Sequence, residues 1–223
     1  MNPVVKRIVT ALAAAALVIL GIICAPPAVI AGVVAVLAAL AVAEYGMLLA
    51  KKVKSPASRM VGFFLGAAII LAGLSSLGFI VFEKGNLMLL YVVAIVKISD
   101  MGGFAFGMSS AHLMKGGNHK LCPTISPNKS WEGLFGSVFG SCLISCCLMA
   151  MTRFGWTKSL LLGAAAALVG TFGDLVESKF KRWVGVKDSS TMKCFNGLGG
   201  ILDMLDSLLF APFVLYFLIR MKF

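Results

Sequence analysis

Met60-Val61-Gly62-Phe63-Phe64-Leu65-Gly66-Ala67-Ala68-Ile69-Ile70-Leu71-Ala72-Gly73-Leu74-Ser75-Ser76-Leu77-Gly78-Phe79-Ile80-Val81-Phe82 runs from Arg59 to Glu83 without one charged side chain. A bilayer core of about 30 Å is crossed by about 20 apolar residues in a helix, so this stretch predicts a membrane-spanning helix. Working outward, further apolar runs fall near 7–24, 28–50, 87–108, 132–152, 158–176 and 200–219, each bounded by short polar segments. The runs near 87–108 and 200–219 carry internal charges. Together the runs predict an all-α, polytopic transmembrane helical bundle of about seven spanning helices.

Composition agrees. Of 223 residues, 60% are hydrophobic and 13% are charged, where a soluble domain would carry roughly a quarter charged. The mean hydropathy is +0.98. We expect residues 1–223 to form a single integral-membrane domain. Residues 1–98 would supply N-terminal helices, and 99–223 a chemical part with polar loops at 109–131 and 177–199. Lys6 and Arg7 ahead of the first apolar run resemble a signal peptide, but Pro26-Pro27 leads at once into another run. A first helical hairpin is the better reading.

The net charge of +11 is distributed over short loops, which reports topology and contact with anionic lipid rather than nucleic acid. With the N-terminus inside, the cytoplasmic side holds Lys6, Arg7, Lys51, Lys52, Lys54, Arg59, Lys115, Lys120, Lys129, Lys179, Lys181, Arg182, Lys187 and Lys193. The opposite side holds only Lys84, Arg153, Lys158, Arg220 and Lys222, and Lys97 falls within a span. Both long polar loops therefore face the cytoplasm. Short loops and the lack of an Arg/Ser-rich leader suggest a bacterial inner membrane. The cysteines (Cys24, Cys122, Cys142, Cys146, Cys147, Cys194) show no metal-ligand spacing and read as packing residues.

The nine acids are more informative. Seven of them (Asp100, Glu132, Asp174, Glu177, Asp188, Asp203 and Asp206) lie in or beside the two long loops. Ionisable groups near membrane depth are costly and usually line a functional cavity. Asp174 with Glu177, and Asp203 with Asp206, are spaced i,i+3, which puts each pair on one helix face. Two such faces brought together would suit Mg²⁺, which binds through carboxylates plus substrate phosphates. One pair alone could equally be loop charges paired with Lys179, Lys181 and Arg182. Two pairs bracketing a basic, Gly-rich loop favour function. That loop reads Lys187-Asp188-Ser189-Ser190 and then Gly197-Leu198-Gly199-Gly200, groups that can approach phosphate oxygens closely. In the other loop, Ser130 and Glu132 predict the cap of a following helix. Lys129 and Trp131 beside them place a cation and an interfacial ring at the membrane face.

Gly173-Asp174-Leu175-Val176-Glu177-Ser178-Lys179-Phe180-Lys181-Arg182, Lys187-Asp188-Ser189 and Gly197-Leu198-Gly199-Gly200-Ile201-Leu202-Asp203-Met204-Leu205-Asp206-Ser207 closely resemble the signature of the phosphatidate cytidylyltransferases. Ile125-Ser126-Pro127-Asn128-Lys129-Ser130-Trp131-Glu132-Gly133 and Asp100-Met101-Gly102-Gly103-Phe104-Ala105-Phe106-Gly107 are similar to two further blocks of that family. The resemblance covers residues 100–207 in the family's order. Departures are Leu198 where His is usual, Met204 where Arg is usual, Phe104 for Tyr and Met108 for a basic residue. The stretch from Lys187 to Gly197 is also about two residues longer than usual.

The resemblance implies cytidylyl transfer from CTP to phosphatidate, giving CDP-diacylglycerol and pyrophosphate in phospholipid biosynthesis. By the same analogy Asp174, Asp203 and Asp206 are candidate Mg²⁺ ligands, and with Lys187 the catalytic set. Lys129, Glu177, Ser178, Lys181, Arg182, Asp188, Ser189, Gly199, Gly200 and Asp100 are candidate substrate-binding residues. A second, monovalent cation and a homodimer are both compatible with this reading. Two other classes remain open at this stage: a CTP-dependent polyprenol or phytol kinase, and a transporter. The gathering of acids on one side and the absence of an internal repeat speak against the transporter.

Overall fold

A computed structural model describes residues 3–113, 117–186 and 200–221. The order of elements is α1 (Pro3–Cys24), α2 (Pro27–Lys52), α3 (Pro56–Lys84), α4 (Asn86–Leu113), β1 (Lys120–Cys122), β2 (Ser126–Ser130), α5 (Trp131–Cys147), α6 (Met149–Thr152), α7 (Trp156–Val184) and α8 (Ile201–Arg220). Proline opens α2 and α3, where its fixed φ fits the first turn and its missing N–H costs nothing.

Every apolar run becomes a helix, and the chain is an all-α polytopic membrane bundle. Among the described residues, five helices, α2, α3, α4, α7 and α8, are long and apolar enough to cross a bilayer. α1 and α5 contribute the shorter apolar stretches Ala15–Cys24 and Trp131–Cys147. Long apolar side chains such as Phe64, Leu65, Phe79 and Phe82 point away from the bundle, as they do when lipid, not water, is the surrounding solvent.

Two boundaries differ from expectation, and both matter. α7 does not stop near residue 176 but continues to Val184, ending at Gly185 with φ 89°. Asp174, Glu177, Ser178, Lys181 and Arg182 thus ride on one continuous helix. The segment at 109–131 contains a small antiparallel hairpin, with Lys120 opposite Ser130 and Cys122 opposite Ser126. Pro127 fits there because a two-stranded sheet is all edge.

α4 forms the centre of the bundle, with Tyr91, Val92, Ile95 and Val96 fully buried. It packs on α5 through small residues: a Cβ at Gly102 would stand 2.5 Å from the Gly136 carbonyl oxygen. α3 meets α8 the same way, since a Cβ at Gly73 would collide with the Leu209 backbone. Such close approach replaces the hydrophobic drive that lipid removes. Hydroxyls tie the interior: Ser141 Oγ donates to the Gly163 carbonyl at 2.8 Å and Ser145 Oγ to the Ser159 carbonyl at 2.6 Å. The described cysteines are all free thiols.

Candidate active site

α7 and α8 run antiparallel, and glycine sets their register. A Cβ at Gly173 would meet the Asp206 carbonyl at 3.1 Å and the Phe210 ring at 2.8 Å, and one at Gly170 would lie 3.8 Å from Ser207 Cβ. With 173 facing 206, the i,i+3 acids of the two helices meet in two layers. One turn, about 5 Å, separates the layers.

The outer layer, nearer the helix ends, contains Glu177 and Asp203 with Lys181 between them. Lys181 Nζ lies 2.7 Å from Glu177 Oε2 and 2.7 Å from Asp203 Oδ1. Asp203 Oδ2 also accepts the Gly200 N–H at 3.1 Å, closing the first turn of α8. The inner layer contains Asp174 and Asp206, joined by Asp100 from α4, close enough for their charges to interact. Lys129 Nζ reaches in from β2, donating to Asp174 Oδ2 at 2.6 Å and to the Thr171 carbonyl at 3.3 Å. Lys97 Nζ donates to Ser207 Oγ at 3.1 Å and stands 3.4 Å from Asp100 Oδ2. Ser207 Oγ in turn donates to Asp100 Oδ2 at 2.9 Å, while the Ser207 N–H donates to Asp206 Oδ1 at 2.7 Å. Asp174 Oδ1 is buried without a hydrogen-bond partner among the described residues.

In formal charge, the inner layer sets three carboxylates against Lys97 and Lys129 among the described residues. A buried anion is tolerated only when paired. The arrangement therefore favours a further cation. Among the described residues, no three His, Cys, Asp or Glu side chains already stand together as a metal cage; the lysines occupy the space between the acids.

A cavity of about 290 Å³ opens beside the inner layer, lined by Asp100, Asp174, Thr171, Lys129, Asn128 and Ser137 among others. Its wall is built by the hairpin and the start of α5. Ser130 caps α5, accepting the Gly133 N–H at 3.1 Å, as its position before an acidic first turn predicts. Glu132 Oε1 accepts from His119 Nδ1 at 2.7 Å and from the His119 N–H at 3.2 Å. That pair holds β1 and β2 against α5, and so fixes where Lys129 enters.

Of the residues singled out from sequence, Asp100, Lys129, Asp174, Glu177, Lys181, Gly200, Asp203 and Asp206 are brought together. Ser178 is half-buried and Arg182 exposed, and neither joins the hydrogen-bonded layers described above. Lys187, Asp188, Ser189 and Gly199 lie outside the described residues, as does Leu198. Lys97, Ser207 and Glu44 escaped the sequence reading. Glu44 on α2 is buried and accepts the Leu202 N–H at 2.9 Å. For Lys97 and Glu44 the signal was present: a charge inside an apolar run marks a functional position.

Comparison with known proteins adds an independent line. The sequence pattern of the cytidylyltransferase family matches residues 48–222. The chain is 38% identical over 156 residues to a phosphatidate cytidylyltransferase of Staphylococcus aureus (strain COL), covering 66% of this chain and 57% of that protein. It is 39% identical over 156 residues, with the same coverage, to one from Staphylococcus epidermidis (strain ATCC 12228 / FDA PCI 1200). A third, from Staphylococcus haemolyticus (strain JCSC1435), is 38% identical over 167 residues, 71% of this chain and 61% of that protein. The chain thus spans less than two thirds of the length of these relatives.

Proposed function

This chain belongs to the cytidylyltransferase family, and from that premise we propose that it transfers a cytidylyl group from CTP to phosphatidate. The products are CDP-diacylglycerol and pyrophosphate. The observation that carries this reading is the meeting of Asp174, Asp100 and Lys129 at the wall of one cavity, with Asp206 and Lys97 interacting with them from behind. The same residues fall within the family's match, and the named relatives are phosphatidate cytidylyltransferases.

The reaction joins two anions. An oxygen of the lipid phosphate forms a bond to the α-phosphorus of CTP, and the bond from that phosphorus to the bridging oxygen of the β-phosphate breaks. Pyrophosphate departs with the electron pair. No protein nucleophile is needed, because the lipid phosphate is itself one. What the protein must supply is neutralisation and alignment. Lys129, at the cavity wall, binds a phosphate oxygen by turning from Asp174 toward the substrate. Lys97 holds Ser207 and Asp100 in place behind it. Lys181 keeps Asp203 and Glu177 at fixed separation, and Arg182 and Lys187 supply further positive charge for phosphate at the membrane face.

Mg²⁺ fits the donor set. Asp174 Oδ1 is buried and unpartnered among the described residues, Asp206 lies beside it, and all the available donors are hard carboxylate oxygens. Asp174 and Asp206 would hold the ion, with Asp203 joining from the next turn. When bound, it would offset the charge of the phosphates and of the departing pyrophosphate. The lipid enters from the bilayer with its head group at the cytoplasmic face of a bacterial inner membrane.

Incubating the purified chain in lipid micelles with Mg²⁺, CTP and phosphatidate tests the reading. Mass spectrometry should find CDP-diacylglycerol and an equal amount of pyrophosphate, and neither after chelation of divalent ions. Persistent failure to form the nucleotide-bearing lipid in a folded preparation would overturn it.

A further inference from the structure

Glu44 is the one acid of α2 and lies 1% exposed in a helix whose other charged residues are Lys51 and Lys52 of the last turn. A carboxylate at such depth costs free energy unless it is held by strong partners. Its Oε2 accepts the Leu202 N–H at 2.9 Å across 158 residues of sequence. Leu202 is the second residue of α8. The first N–H groups of a helix have no partner within it, and a negative charge there also meets the positive end of the helix dipole. The opening turn of α8 is therefore tied by two carboxylates: its own Asp203, on the Gly200 N–H, and Glu44 from α2.

The neighbour of Glu44 fastens the same helix to α7. The Tyr45 and Phe180 rings lie 4.9 Å apart, and Tyr45 Oη donates to the Gly62 carbonyl at 3.0 Å. α2 thus braces the two acid-bearing helices from one side. The residue after Leu202 is Asp203, and Asp206 follows one turn later. Any slide or roll of the α8 start moves both.

We propose that Glu44 is a positioning residue for the transfer reaction, setting the depth and roll of the α8 turn that presents Asp203 and Asp206. It stands four residues ahead of the segment that the family pattern matches, so this role is carried by the N-terminal helices and not by the signature. The proposal rests on the cytidylyl-transfer reading. Displacing reacting groups by about 1 Å costs on the order of a hundredfold in rate.

Three variants of the full chain separate reach from charge. Glu44→Gln keeps an oxygen at the same reach and should retain most of the parent kcat. Glu44→Asp keeps the charge but is one methylene shorter, and Glu44→Leu has no acceptor. Both should lose about tenfold or more in kcat, with KM for CTP near the parent value. Hydrogen exchange at the Leu202 amide, read on the same preparations, should accelerate about tenfold in Glu44→Asp and Glu44→Leu, as expected for losing a hydrogen bond to a charged acceptor, and stay slow in Glu44→Gln. If Glu44→Leu does not fold, the Asp and Gln pair decides. Glu44→Asp turning over like the parent, or Glu44→Gln falling as far as Glu44→Asp, overturns the proposal. A parent without transfer activity but with the expected exchange pattern overturns the proposed function and the positioning role, and upholds the contact. A parent that transfers, with all variants exchanging alike, overturns the positioning role alone.

Discussion

The two charged layers between α7 and α8 are built from the same residue types, one helical turn apart, yet they differ in what they face. In the outer layer Lys181 is held by two carboxylates at 2.7 Å each and its side chain is 15% exposed. In the inner layer Lys129 bonds one carboxylate and one carbonyl, and it comes from a hairpin that walls a cavity. The outer layer spends its cation on holding two helices together. The inner layer keeps Lys129 at the wall of a cavity. Similar charges in similar burial can be a brace or a reactive site, according to which of them borders open space.

Substitutions should separate the layers. The largest effect is expected from the acids: Asp174→Asn and Asp203→Asn should each reduce cytidylyl transfer by about a thousandfold or more, as removing charge that the transition state depends on does. They should part in stability. Asp174→Asn relieves repulsion with Asp206 and Asp100 and should not lower the melting temperature, whereas Asp203→Asn weakens the hold on Lys181 and Gly200 and should lower it. Equal melting behaviour would erase the distinction between the layers.

Next comes Lys181→Met. Removing one partner of a largely buried ion pair leaves the other uncompensated, and about 3 kcal/mol of stability should be lost, measured by thermal unfolding in detergent. Lys129→Met should cost less stability than Lys181→Met, because its ion pair is the more exposed of the two, and reduce kcat/KM for CTP by about a hundredfold. A reversal of these two results would exchange the roles of the lysines. Ser207→Ala should cost about tenfold in rate, since it removes a hydrogen bond that orients the Asp100 carboxylate. His119→Ala, with an exposed ring paired to Glu132, should cost least: about twofold, seen as a raised KM as Lys129 loses its fixed entry point.

Much of this was legible in the residues. Uncharged runs such as Met60–Phe82 located the long helices, because only a helix satisfies its own backbone in lipid. The i,i+3 spacing correctly placed each acid pair on one helix face. The partner of each acid was not legible, since it depends on an antiparallel register set by Gly170 and Gly173 against α8. The end of α7 was misjudged because polar residues beyond 176 suggested a loop. In fact Lys179, Lys181 and Arg182 are good helix formers at a helix C-terminus, where cations are favoured, and only Gly185 turns the chain. The hairpin escaped notice because β1 spans three residues and Pro127 interrupts β2. Glu44 and Lys97 announced themselves only as charges in apolar surroundings; Lys97 has a local partner in Asp100, but Leu202, 158 residues from Glu44, and Ser207, 110 from Lys97, were beyond any local pattern.

Which phosphate of CTP reaches the lipid separates a cytidylyltransferase from a kinase. Purified chain with Mg²⁺ and phosphatidate should be given CTP labelled at the α-phosphate in one reaction and at the γ-phosphate in another. Lipid-extractable label from α-labelled CTP, and none from γ-labelled CTP, is the predicted result. Label entering the lipid only from the γ-position would make the protein a kinase and contradict cytidylyl transfer.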